Sequence, residues 1–213
     1  MHLLTLAASA LPFFTTGALA WGALGHMTVG YIAEDFVSAS TAQWAQDTLG
    51  ISNSSYLASV ATWADSYRST TAGKFSAPFH FIDANDSPPS SCSVDYDRDC
   101  GSGGCVVSAI ANYTQRAGDN RYSLANRKQA LEFLVHFLGD VTQPLHDEAY
   151  ELGGNDISVQ FDGKKTNLHA VWDTSMPEQY VGGYQLSHAR RWGAHIPSKT
   201  MAGQCNHQQE GGQ

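Results

Sequence analysis

Apolar residues recur at helical spacing through most of this chain. Residues 27–37 read Met-Thr-Val-Gly-Tyr-Ile-Ala-Glu-Asp-Phe-Val and suit a buried helix. The same periodicity predicts helices over residues 54–69, 104–118 and 124–138. Residues 75–83, Phe-Ser-Ala-Pro-Phe-His-Phe-Ile-Asp, break the pattern and are expected to be extended. Leu152-Gly-Gly-Asn155 is a backbone-permissive turn, and Ile157-Ser-Val-Gln-Phe161 followed by Asp162-Gly163 predicts a small hairpin. The rest is helical by pattern, so the expected fold is an all-α bundle with one β-hairpin, its facing helices projecting ligands inward.

The two ends differ from this interior. Residues 1–20 hold no Lys, Arg, Asp or Glu, are apolar around Leu3 to Phe14, and end Ala18-Leu19-Ala20, a small-x-small cleavage pattern. They are read as a signal peptide, and no later stretch has the length of a transmembrane helix. A single domain is expected over residues 21–192, and residues 193–213, which lack apolar periodicity, are read as a disordered tail.

Charge narrows the possible partners. Twelve Lys and Arg against twenty Asp and Glu leave a formal charge of −8, which argues against wrapping duplex DNA with a basic face. Four cysteines, at 92, 100, 105 and 205, suit disulfides in a secreted chain. Cys100 and Cys105 enclose a flexible Gly-Ser-Gly-Gly loop and are expected to pair, which leaves Cys92 with Cys205. Asn53, Asn85 and Asn112 begin glycosylation sequons.

The chemistry concentrates in residues 133–174. His136 and Asp140 stand four apart on an apolar helical run, so both leave one face a turn apart. His169 and Asp173 repeat that spacing, with His146 on a Pro-initiated turn between the pairs. A single histidine on an apolar helix is commonly a hydrogen-bonded core residue; the repeat argues otherwise. Unpaired carboxylates among Phe, Leu and Val would be costly, and imidazole with carboxylate suits zinc. Outside this stretch the residues leave two readings open. His26 is a helix-start hydrogen bonder or a ligand, Asp65 lies on a solvated face or in a site, His80 is core or ligand, and Phe81 is core or a stacking platform for a base. Cleavage before Trp21 would expose an α-amine with an ordinary pKa of ~8, which can lose its proton to a metal.

Together these segments resemble the fungal and plant single-strand-specific zinc nucleases of the S-one and P-one type, with mung bean nuclease. The resemblance runs through Trp21-Gly-Ala-Leu-Gly-His26, Ala61-Thr-Trp-Ala-Asp65, Phe79-His-Phe-Ile-Asp83, Val135-His-Phe-Leu-Gly-Asp140 with Gln143-Pro-Leu-His146, and Asn167-Leu-His-Ala-Val-Trp-Asp173. Bacterial zinc phospholipases C resemble the family more distantly. Relatives continue through further C-terminal helices that are absent here, so the chain reads as C-terminally truncated.

The resemblance implies a secreted endonuclease with three zinc ions, acting on single-stranded DNA and RNA through a zinc-bound hydroxide. It would leave 5′-phosphorylated products and also dephosphorylate 3′-nucleotides, and a monomer is expected. Asp65, His80, His136 and Asp140 would hold one zinc. His146, His169 and Asp173 would hold a second, and Trp21, His26 and Asp140 a third. Asp65, Arg68 and Asp140 would be catalytic, with Arg68 stabilising phosphoryl oxygens. Phe81, Asp83, Leu152 and Asn155 would form the base pocket. Two alternatives stand beside this one: a phospholipase C-like phosphodiesterase on the same metals, and an inactive truncated product of a nuclease gene.

Overall fold

The computed structural model describes residues 21–195. The signal peptide, Cys205 and most of the tail lie outside the described residues. Ten segments besides the 3-10 and π turns follow in order: α1 Ala23–Phe36, α2 Ala39–Leu49, α3 Trp63–Arg68, α4 Tyr96–Asp99, α5 Val106–Gly118, α6 Leu124–Asp140, α7 Glu151–Gly154, which is a left-handed turn and not a right-handed helix, α8 Leu168–Ala170, α9 Met176–Val181 and α10 Leu186–Ala194. Between α7 and α8 lies the predicted hairpin. Its strands, β1 Ser158–Phe161 and β2 Lys164–Asn167, pair antiparallel with Ser158 opposite Asn167. The fold is mostly helical, with this one small sheet among the described residues.

Helix α6 is the axis. Ser123 caps it by accepting from Asn126 N at 3.3 Å, and the helix extends two residues past the predicted end to include Asp140. Its buried face carries Ala130, Leu131, Phe133 and Phe137, then His136 and Asp140. The apolar part of that face meets α2, α3 and α5 in the main core, with Leu49, Val106, Ala109 and Tyr113. Tyr113 stacks on Phe133 with ring centroids 4.5 Å apart. A second cluster joins α1 and α10 through Leu24, Tyr31 and Ala189. Gly193 faces Tyr31 in that cluster, where an added Cβ would make only ordinary contact at 3.5 Å.

Two local expectations are corrected. The helix predicted over residues 54–69 exists only as α3, and the preceding residues form consecutive turns. There, Glu34 from α1 accepts Leu57 N at 2.8 Å and Ala58 N at 3.4 Å, so these amides bond a side chain across the fold. Gly30 makes the approach possible, because a Cβ there would lie 2.8 Å from Ala58 Cα. The stretch expected to be extended over residues 75–83 is instead a 3-10 helix, Lys74–His80, and becomes extended only at Phe81. Helical winding puts Phe75 and Phe79 on the side of α6, where they meet the edges of Phe133 and Phe137 at 6.3 and 6.4 Å. The aromatic packing decides the local conformation.

Candidate metal centre

The histidines and aspartates named from the sequence as ligands come from six separate segments and converge. His26 leaves the first turns of α1, Asp65 comes from α3 and His80 ends the 3-10 helix. His136 and Asp140 share α6, and His146 ends a second 3-10 turn, Pro144–His146. His169 sits on α8, and Asp173 in the π-helical turn Val171–Ser175 that follows it. The sequence spacing suggested an ordinary helix there; the wider π turn re-aims Asp173. Its Oδ2 lies 3.0 Å from His169 Nε2.

Ligand atoms gather in three sets, each with its members within 4.8 Å of one another: His26 with Asp65 and His136; His80 with His136 and Asp140; His146 with His169 and Asp173. Asp140 is central. Its Oδ2 lies 3.0 Å from His80 Nδ1 and 3.3 Å from His136 Nε2, while Oδ1 lies 3.3 Å from His26 Nε2. The rings of His26 and His136 stack at 3.9 Å, which is possible because Gly139 has no side chain to push His26 away.

The backbone sets the tautomers. His136 Nδ1 donates to Ala61 O at 2.6 Å, His146 Nδ1 to His80 O at 2.7 Å and His169 Nδ1 to Gly153 O at 2.7 Å. Each Nε2 therefore carries its lone pair toward the centre. Burial pushes the imidazolium pKa of His26, His136 and His146 down to about 3, so all three are neutral donors at ordinary pH. Burial also lowers His80, with His136 adding to the effect.

The carboxyls move the opposite way. Burial raises Asp65 to about 6 against the opposing charge of Arg68, and raises Asp140 well above the usual range. Asp173 is raised by burial against its bonds to His169 and Gln143. Buried polar atoms normally find partners, yet both nitrogens of His26, Nε2 of His80 and His146, and both oxygens of Asp140 make no hydrogen bond. Such a set of N and O donors fits divalent metal, whose charge would reverse the desolvation cost.

The N-terminal segment lies against the same centre. Trp21 Nε1 donates to Thr142 Oγ1 at 2.9 Å, and Gly22 N donates to Asp173 O at 2.7 Å. Gly22 and Gly25 leave room for this, since a Cβ on either would come within 2.7 Å of Thr174 Oγ1 or of Trp21. Trp21 nitrogen is a peptide amide in the full chain and an amine only after cleavage.

A cleft of about 440 Å³ opens onto the candidate metal centre at His80, His146 and His169. Arg68, Phe81, Asp83, Leu152 and Asn155, all named from the sequence, line it. Arg68 Nη2 lies 3.3 Å from Asp65 Oδ1. Phe81 is 38% exposed and forms part of the wall. In the same cleft, Leu152 and Gly153 adopt left-handed backbone, and Asn155 Nδ2 donates to Leu152 O at 2.8 Å. Ser69, Ala77 and Leu145 also line the cleft and were not singled out from the sequence. They lie within three residues of Arg68, His80 and His146, and nearness to such residues was the available signal.

Cys100 and Cys105 form the expected disulfide, closing the loop ahead of α5. Asn53, Asn85 and Asn112 are all exposed, and Cys92 is exposed. No helix among the described residues is long and apolar enough to cross a membrane.

The chain is similar in sequence to several fungal nucleases. Nuclease PA3 of a Penicillium species is 58% identical over 191 residues, covering 90% of this chain and 71% of that protein. Nuclease P1 of Penicillium citrinum is 60% identical over 183 residues, 86% of this chain and 68% of its own length. Nuclease S1 of Aspergillus oryzae is 54% identical over 183 residues, 86% and 63% respectively. The chain thus spans about two thirds of the length of these relatives. The sequence model of the S1/P1 Nuclease family matches residues 21–211, and the chain belongs to that family.

Proposed function

We propose that this chain is a secreted, zinc-dependent endonuclease that hydrolyses phosphodiester bonds of single-stranded DNA and RNA to 5′-phosphorylated products and removes phosphate from 3′-nucleotides. The observation that carries the reading is the cleft that sets Arg68 and Phe81 against His80, His146 and His169. Nine ligand positions support three zinc ions: Trp21, His26, Asp65, His80, His136, Asp140, His146, His169 and Asp173. Zinc held there supplies Lewis acidity, which acidifies water and offsets charge on a phosphodiester.

The chain's own residues supply the rest. Arg68 turns its guanidinium toward phosphoryl oxygens from one side, held by the Asp65 carboxylate. Phe81 offers a face on which a base stacks, and Asp83 accepts a hydrogen bond from the base edge. Leu152, held out by its left-handed backbone and 66% exposed, lines the cleft with Asn155. A base stacked and paired in a duplex must first be extruded to enter such a cleft, which accounts for single-strand preference. Residues 1–20, the Cys100–Cys105 disulfide and the exposed sequon asparagines support secretion.

The test uses the secreted chain on four substrates: single-stranded DNA, the matching duplex, a 3′-nucleotide and phosphatidylcholine. The single strand and the nucleotide should be cleaved, EDTA should abolish both activities, and zinc should restore them. Phe81→Ala should lower kcat/KM on single strands roughly 5- to 100-fold, the value of one lost base stack. Hydrolysis of phosphatidylcholine alone, or activity indifferent to EDTA, would overturn the proposal.

A further inference from the structure

Gln143 is wholly buried, an uncommon place for a side chain with two donors and an acceptor to satisfy. Its amide is used at both ends. Nε2 donates to Asp173 Oδ1 at 2.5 Å, and Oε1 accepts Leu145 N at 2.7 Å. The orientation is determined by the partners, because Leu145 N is a donor and needs the oxygen, and the carboxylate needs the nitrogen. The bond to Leu145 N caps the 3-10 turn Pro144–His146. That turn delivers His146, whose Nδ1 is tied to His80 O.

One amide thus joins the carrier of His146 to a carboxylate thirty residues further along the chain. It also selects which oxygen of Asp173 is presented. Oδ1 is taken by Gln143, and Oδ2 is the one 3.0 Å from His169 Nε2. Gly22 N, bonded to Asp173 O, steadies the backbone of the same residue.

We infer that Gln143 is a positioning residue that holds Asp173 and His146 in register and presents a single Asp173 oxygen to the ion bound by His146, His169 and Asp173. The inference rests on the zinc reading above. Gln143 does not line the cleft; it acts through the two ligands it connects. Outer-shell hydrogen bonds of this kind typically change metal affinity 10- to 100-fold.

Two substitutions in the full chain separate positioning from plain structural support. Gln143→Leu removes both bonds at similar volume. Gln143→Glu keeps an acceptor for Leu145 N, so the turn stays capped, and is read at pH 8, where the ionised carboxylate offers Asp173 no donor and faces it with a like charge. The measurement is zinc affinity by competition with a chromophoric chelator, together with zinc content and a thermal melt; none depends on catalysis. Both variants should weaken one zinc about 10- to 100-fold and leave the others as in the unsubstituted protein. Should Gln143→Leu fail to fold, Gln143→Glu decides the matter. Unchanged affinity for every zinc, or equal weakening of all of them, would overturn the inference. An unsubstituted chain that takes up no zinc would refute the metal reading itself, a result separable from the behaviour of the variants.

Discussion

Gly139→Ala tests whether the metal centre depends on one missing methyl group. Gly139 lies in the last turn of α6, between His136 and Asp140. By helix propensity alone the substitution is favourable, by about 1 kcal/mol. A Cβ there, however, would stand 2.6 Å from His26 Nδ1 and 3.1 Å from its Cε1. His26 is 1% exposed and stacked on His136, so its ring must retreat by about 0.8 Å to reach ordinary contact at 3.4 Å. Overpacking of this kind costs about 1–3 kcal/mol, leaving a net loss of about 0–2 kcal/mol once propensity is counted. The site is far less tolerant than the fold: a ligand misplaced by about 1 Å lowers turnover on the order of 100-fold. The expected result is a thermal melt within a few degrees of the unsubstituted protein, zinc content reduced by one ion, and hydrolysis of single-stranded DNA down by roughly two orders of magnitude. Unchanged rate and zinc content would refute the reasoning. So would a loss of rate that merely follows unfolding.

Three further outcomes follow from the same structure. Gly153→Ala should destabilise the chain by about 2 kcal/mol or more in a urea melt, because Gly153 is left-handed at φ 61° and a Cβ would lie 2.3 Å from Leu145 O; stability equal to the parent would contradict the close approach. In metal-free protein, Asp65→Asn should raise the melting temperature at pH 7 but not at pH 3. The folded Asp65 carboxyl titrates at about 6 against an ordinary 3.8, so the cost of ionising it is absent below the lower value and complete above the higher one. That difference in proton affinity between folded and unfolded chain corresponds to about 3 kcal/mol, and a pH-independent difference between the two proteins would be inconsistent with burial as the cause. Replacing both Cys100 and Cys105 by Ala should cost about 2 kcal/mol by guanidinium denaturation, the chain-entropy value for so short a loop; no change would mean that the loop is already held by its other contacts.

The candidate histidines and aspartates and the helical class were readable in the chain alone. His136 with Asp140 and His169 with Asp173 were legible because helix periodicity puts residues four apart on one face, and charge in an apolar run needs a partner. The hairpin was legible for the same local reason, since Asp162-Gly163 between alternating residues has few other conformations. Folding settled what depends on distant partners. Glu34 captures the amides of Leu57 and Ala58 and keeps that stretch from winding into a helix, and the rings of Phe133 and Phe137 draw Phe75 and Phe79 into a 3-10 turn. Nor could spacing show that three imidazoles spend Nδ1 on the carbonyls of Ala61, His80 and Gly153, or that Gln143 grips Asp173. Local propensity reaches about one helical turn along the chain, whereas the orientation of a ligand is set by backbone that only folding brings beside it.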